Sequence, residues 1–353
     1  MGKAYYRVSE FKEEVLANRK KNFERGFEIG FHSAYNFLNF KKGFTSYLFA
    51  APFSGKTSLI YDIFIYIASR YGAKIALYSP ESGGKDSLVS YLVQVYLAKK
   101  LHGKEKQEAT DQEWLEALDF IDKHFIILDP VVVGKDAVNF DTQEMFRQLK
   151  EACSQYKWKL DLLFIDPHTM LRKSEEDRKK SIADYILDNL YYINSIAKEW
   201  NMHICISMHT SDTDTIVDKE TGIEFLPKPY PSRISNGQNV FRCGQTMFSL
   251  WRCPAGVHEK STGYPYPENA TDITICKNKI LGAGDIGQFR LYYNPERQKF
   301  YEIINGNKYY CGEYDKYMKN VEHSLTKSNN TKPTEASPHA GLQPNKEFEK
   351  SIF

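Results

Sequence analysis

From residue 44 to residue 251 the chain alternates short, continuous apolar runs with longer stretches in which apolar residues recur at helical spacing. The runs fall at 44–49, 74–79, 125–128, 160–165, 203–208 and 246–251. Unbroken runs of this length read as strands buried on both faces, and strands alternating with helices predict an α/β fold with a mostly parallel sheet covered by helices on both sides. Further on, 272–276, 288–293 and 299–304 are short alternating runs separated by Gly, Asn and Pro, which predicts antiparallel strands added at one edge of that sheet. Ahead of the first run, residues 7–25 put Val8, Phe11, Val15 and Leu16 on one stripe of a charged helix. Such a stripe needs an apolar surface, either on its own domain or on a neighbouring subunit. From about residue 322 the composition turns to Ser, Asn, Thr, Pro and Lys, which cannot offset chain entropy by burial, so 322–353 is expected to be a disordered tail. The pattern divides the chain into an arm (1–43), a core (44–310) and a C-terminal extension (311–353).

Composition narrows the partners. With 353 residues, 42% of them hydrophobic, the core has ample material, and a formal charge of only +2 advertises no basic field over the whole molecule. Any nucleic-acid contact must then come from a local cluster. The six cysteines, Cys153, Cys205, Cys243, Cys253, Cys276 and Cys311, include no C-x-x-C pair, and several lie in apolar runs. Reduced, structural thiols in a cytosolic compartment are expected. The N-terminus has no apolar segment of signal-peptide length, and no stretch is apolar enough to span a bilayer. The expected location is therefore the cytoplasm of a bacterial cell, or of the host for a phage-encoded chain.

The chemistry begins between the run at 44–49 and the helical stretch after it, at Ala50-Ala51-Pro52-Phe53-Ser54-Gly55-Lys56-Thr57-Ser58. This is a phosphate-binding loop in the required strand–loop–helix setting, with Ala50 in place of the leading glycine. Its backbone N–H groups would wrap the phosphates of ATP at a helix N-terminus, with Lys56 reaching the outer phosphates and Thr57 reaching Mg²⁺. Two carboxylates follow other runs. Asp166 ends the run at 160–165, which is where a nucleotide enzyme holds the Mg²⁺ shell, although an Asp there also caps helices. Glu81 directly follows the run at 74–79 and Pro80, which is expected to keep the strand exit extended; from there the carboxylate can orient and deprotonate the attacking water. His209, at the polar end of the run at 203–208, can donate to the γ-phosphate and report its loss. No H-E-x-x-H spacing occurs, so catalytic zinc has no support.

Two long polar segments follow these strand ends. The first, 167–183, carries Arg172, Lys173, Arg178, Lys179 and Lys180, diluted by Glu175, Glu176 and Asp177; the second, 210–237, carries Lys219, Lys228 and Arg233. Clustered cations on long loops suit a phosphate backbone, although a charge run is commonly just a solvated face.

Taken in order, these pieces resemble the RecA-like ATPase domain of the DnaB-type replicative helicases, including their phage and Twinkle-like members, over about residues 5–305. That family commonly has Ala where other phosphate loops have Gly, as at Ala50. Ser79-Pro80-Glu81 looks like its catalytic-glutamate strand, Ile165-Asp166 like its Walker B end, and Met208-His209 like the sensor of its phage-type branch. Lys277-Asn278-Lys279-Ile280-Leu281-Gly282 resembles a closing motif in which a lysine and then an arginine reach the neighbouring subunit's nucleotide. Here the arginine finger falls on Lys279, which lacks a planar bidentate fork, and Lys277 can share its task. The resemblance implies a homo-hexameric ring, ATP with Mg²⁺ between protomers, and single-stranded DNA threaded past the two basic segments. It also implies that the arm at 7–25 serves as a linker helix docking on the adjacent protomer. About 40 residues precede the core, too few for the family's N-terminal domain or a fused primase, so a primase or helicase loader would be a separate partner. Two other readings stay open: a RecA-class recombination ATPase that forms filaments, and a non-hydrolysing, nucleotide-gated scaffold.

Overall fold

The computed structural model describes residues 5–20, 24–104, 106–133, 136–138, 140–211, 214–234 and 237–320. The tail expected at 322–353 lies outside the described residues. The chain divides into two compact units, Met1–Tyr314 and Asp315–Phe353, and the architecture below is that of the first.

Its frame is a ten-stranded sheet. In chain order the strands are β1 (Thr45–Ala50), β2 (Ile75–Tyr78), β3 (Phe125–Leu128), β4 (Leu162–Ile165), β5 (His203–His209), β6 (Thr246–Arg252), β7 (Ala270–Asn278), β8 (Gly287–Asn294), β9 (Lys299–Ile304) and β10 (Asn307–Tyr310). Across the sheet they run β10-β9-β8-β7-β6-β1-β5-β4-β2-β3, parallel from β6 to β3 and antiparallel from β6 to β10. The structure therefore has the mixed architecture expected from the apolar pattern, with all antiparallel strands at one edge. The strand β10 has no apolar alternation and is missed by periodicity. The signal for it is Asn305-Gly306 (φ 51° and 79°), the two-residue turn that folds β10 onto β9.

Burial on both faces explains the unbroken runs. In β1, Leu48 and Ala50 pack with α2 (Lys56–Tyr71), α3 (Lys85–Leu97) and α4 (Asp111–His124), while Tyr47 and Phe49 pack with α5 (Thr142–Tyr156), α6 (Ile182–Glu199) and α7 (Gly237–Cys243). Helix starts are set locally. Thr110 and Glu113 form a reciprocal capping box on α4, and the side chains of Asp141 and Ser181 accept from Glu144 and Asp184 at the starts of α5 and α6. The sequence predicts an extended exit from β2 at Pro80; instead the chain turns at once through Pro80–Ser82, because proline is preorganised for the first position of a helical turn.

The helix expected at 7–25, α1, spans Val8–Lys20 and is broken at Phe11 (φ −131°, ψ 16°). None of its residues is fully buried, and Val8 and Val15 are 68% and 47% exposed, so the first unit leaves most of its apolar stripe uncovered, with Phe11 alone half-buried, among the described residues. No helix among the described residues is long and apolar enough to cross a membrane.

One buried ring has a pH consequence. His203, at the start of β5, is fully buried, stacks on Phe40, and shares hydrogen bonds with Ser46 Oγ and the Lys41 carbonyl at 2.9 Å each. Burial pushes its pKa from 6.5 down to about 4. The unfolded chain binds this proton more readily between those values, so its contribution to stability is complete above pH 6.5 and is lost as pH falls toward 4. The loss is on the order of 3 kcal/mol. Urea unfolding at pH 7.5 and pH 4.5 should show a smaller drop in stability for His203→Gln than for the native chain; equal drops would dismiss the assignment.

Candidate active site

The expected chemical residues meet where the parallel strands end, because β1 and β5 run side by side and Ala50 pairs with His209. From Ala50 the chain turns through the phosphate loop into α2. Gly55 caps that helix at φ 90°, a conformation that glycine takes without strain, and no side chain accepts from the first-turn N–H groups. Ser54 Oγ donates to the Ala51 carbonyl (2.7 Å), and Phe53 stands at φ 58° with its ring fully exposed.

Lys56 is buried, and its ammonium folds back toward the carbonyls of Ala51 (3.1 Å) and Ala50 (3.3 Å) and His209 Nδ1 (3.4 Å). Burial lowers its pKa, and the nearby Asp166 and Glu81 carboxylates oppose that shift. Thr57 Oγ1 donates to Asp166 Oδ2 at 2.7 Å, and Ser79 Oγ lies 3.5 Å from the same oxygen. Across the gap, His209 Nε2 is 3.5 Å from Glu81 Oε2. Lys56, Thr57, Glu81, Asp166 and His209 therefore form one cluster, with Ser58 in the first turn of α2 bonded to Tyr91. An uncapped helix N-terminus beside a buried cation suits a polyphosphate, and a hydroxyl paired with a carboxylate offers the hard oxygens that Mg²⁺ prefers. A cavity of 570 Å³ opens beside the loop, lined by Ala51, Phe53, Ser54, Trp251, Arg252 and Asn269, with room for the rest of a nucleotide.

Lys277 and Lys279 do not join this cluster. Lys277 pairs with Met247, near the amino end of β6, whereas the phosphate loop sits beyond the carboxyl ends of the parallel strands. Lys277 is thus level with Tyr47, roughly 10 Å of strand short of Ala50. Lys277 is buried, donates to the Phe241 carbonyl and lies 4.4 Å from the Phe241 ring centre; burial lowers its pKa, with the Lys279 charge adding to the effect. Lys279 has an exposed side chain, with its backbone N–H held by the Gln245 carbonyl (2.9 Å).

The basic segments differ from each other. In the first, Arg178 pairs with Glu175 (2.9 Å), Lys180 pairs with Asp177 (3.1 Å) and Asp188 (2.9 Å), and Lys173 covers the Tyr185 ring at 4.8 Å. Arg172 is held by its backbone to the Phe140 carbonyl, and Lys179 is exposed. The second is not an open loop: Ile216–Val217 pairs with Glu224–Phe225, and Trp251 Nε1 donates to the Leu226 carbonyl (2.9 Å), folding it over the end of β6. Lys228 is bonded to Gln288 on β8, away from the first cluster, and Arg233 lies in the turn Pro231–Arg233. Motif reading stops at the loop and the strand-end acids, so it misses Trp251 and Arg252 in the wall of the site; Ser79 is legible only as part of the Ser79-Pro80-Glu81 motif, without its place beside Asp166.

No family model matches the sequence, and no curated protein matches it. Solved structures do. The chain superposes on a solved ATPase domain with a TM-score of 0.62 at 14% identity, covering 84% of this chain and 98% of that one. It superposes on a DnaB-like replicative helicase, determined with its interactions with primase, with a TM-score of 0.59 at 14% identity over 84% of this chain and 67% of that one. The fit to the RadB recombinase is looser, with a TM-score of 0.43 at 15% identity, over 73% of this chain and 90% of that one. The class is an α/β phosphate-loop protein with a mostly parallel central sheet. Within it, the fold is the RecA-like fold of the DnaB-like helicase ATPase domains.

Proposed function

We propose that the chain is an ATP hydrolase, a ring-forming DNA helicase motor with a core at 44–310, an arm at 1–43 and an extension at 311–353. The observation that carries this reading is the convergence of Lys56, Thr57, Glu81, Asp166 and His209 at the strand ends of a helicase-type fold. When bound, ATP and Mg²⁺ supply the scissile phosphoryl group and the cation that neutralises its charge. The Gly55–Ser58 turn holds the phosphates by its N–H groups, Lys56 leaves its carbonyl partners for the outer phosphate oxygens, and Thr57 with Asp166 presents oxygens to the metal. Glu81 takes the proton of the attacking water, and His209, between Glu81 and Lys56, reads whether the terminal phosphate is present.

Lys279, exposed at the far end of the sheet, acts on the neighbouring protomer's nucleotide in a homo-hexamer, and Lys277 joins it by leaving the Phe241 carbonyl. Single-stranded DNA runs past the segment with Arg172, Lys173, Arg178, Lys179 and Lys180, and past Lys228 and Arg233. A primase or loader is a separate partner, and the compartment is the cytoplasm, which suits six free thiols. The test is phosphate release with and without single-stranded DNA, followed by strand displacement on a forked duplex. DNA should raise turnover several-fold; hydrolysis indifferent to DNA would sink the motor reading.

A further inference from the structure

A second cavity, of 310 Å³, lies behind the site on the side of the sheet covered by α6 and α7. Its walls come from both segments that leave the catalytic strand ends: His168, Thr169, Leu171 and Lys173 after β4, and His209 and Ile234 at the end of β5 and beyond it. Ile182, Tyr185 and Ile186 on α6 and Val240 on α7 complete it. The lining is mostly apolar, with cationic Lys173 held against Tyr185. Tyr185 is only 6% exposed, and its hydroxyl is buried with no hydrogen-bond partner among the described residues. That hydroxyl is closed off from the cavity, so Tyr185 gives the lining its ring, and the polar groups of the lining are His168, Thr169, Lys173 and His209. The loop at its mouth is fixed in turn: His168 Nε2 lies 2.9 Å from Asn189 Oδ1, and Asn189 Nδ2 donates to Thr142 Oγ1 at 2.5 Å.

The geometry points to this cavity as a receptor for one nucleobase of the DNA strand, a proposal that rests on the motor reading. A nucleobase is flat and largely apolar with a polar rim, the chemistry of this lining, and the volume stands at the lower end of the range for small-ligand sites. Its phosphates would meet Lys173, Arg172 and Lys179, which have no carboxylate partner among the described residues. The consequence lies in His209, which belongs to both places. It lines this cavity and also stands 3.4 Å from Lys56 and 3.5 Å from Glu81. A base seated here presses on the side chain that sets the spacing of the nucleotide-site groups, so the bases of the strand, and not only its phosphates, govern hydrolysis.

The test compares two strands of equal length on the unaltered protein, an ordinary oligothymidylate and one made wholly of abasic sugar-phosphate units. At saturating strand, the abasic chain should bind through its phosphates yet leave phosphate release close to the strand-free rate. A second arm fills the cavity with Ile186→Trp, which should reduce stimulation by oligothymidylate to the abasic level. Equal stimulation by both strands on the unaltered protein overturns the proposal, as does full stimulation of a folded Ile186→Trp protein. If that variant fails to fold, the comparison of strands decides alone. If oligothymidylate itself gives no stimulation, the motor reading falls and this inference with it; if it stimulates and the abasic strand matches it, only the base receptor falls.

Discussion

Replacing Lys56 with alanine is expected to lower ATP turnover by about 10²- to 10³-fold, the usual consequence of deleting one preorganised donor to a developing phosphoryl charge. The expectation follows from where the ammonium sits. It is buried, within 3.1 and 3.3 Å of backbone carbonyls in its own loop, and 3.4 Å from His209. It therefore waits inside the cradle at little further desolvation cost, and water entering the alanine variant would not replace a fixed cation. The fold should survive, because the loop conformation is set by Gly55 and by the Ser54–Ala51 hydrogen bond as well as by Lys56. Steady-state phosphate release together with a thermal melt checks this. A variant of native stability that retains more than a tenth of the native turnover would contradict the assignment.

Substituting Glu81 with glutamine should separate binding from chemistry. The carboxylate is about half exposed, 3.5 Å from His209 Nε2 and outside the Thr57–Asp166 pair. It contributes nothing to the phosphate cradle and has reach to a water beyond it. Glutamine keeps the shape and removes the base, so turnover should fall by about 10²- to 10⁴-fold while nucleotide affinity stays within a few-fold of native. Affinity read with a fluorescent ATP analogue, alongside single-turnover hydrolysis, makes the separation. Parallel loss of both would reassign Glu81 to binding, and near-native turnover would remove it from the mechanism.

Both side chains are legible in the sequence for a simple reason. A parallel sheet buried on both faces writes its strands as unbroken apolar runs, and ligands gather where those runs end. Ala50, Glu81, Asp166 and His209 each end or follow such a run, so their convergence follows once the strands are adjacent. What could not be read is whatever depends on distant pairing. Lys228 belongs to a basic segment in the sequence, yet it is bonded to Gln288, 60 residues further on. The order of the strands decides that contact, and composition does not. Lys277 reads as the lysine of a closing motif that reaches a neighbouring subunit, yet it is buried against Phe241 of α7. The cavity behind His209 was invisible for the same reason, since its walls come from segments on α6, α7 and both strand exits. The arm gave the reverse lesson: its apolar stripe was clear, but a stripe says only that cover is needed, and the first unit leaves most of it uncovered.

The placement of Lys279 at one end of the sheet and the phosphate loop at the other has a consequence for assembly. With Lys279 in its proposed role, one copy gives at one end of the sheet and receives at the other, an arrangement that suits a heterologous, head-to-tail contact. Each protomer then completes the next in a fixed direction, and the series either closes or runs on as a screw.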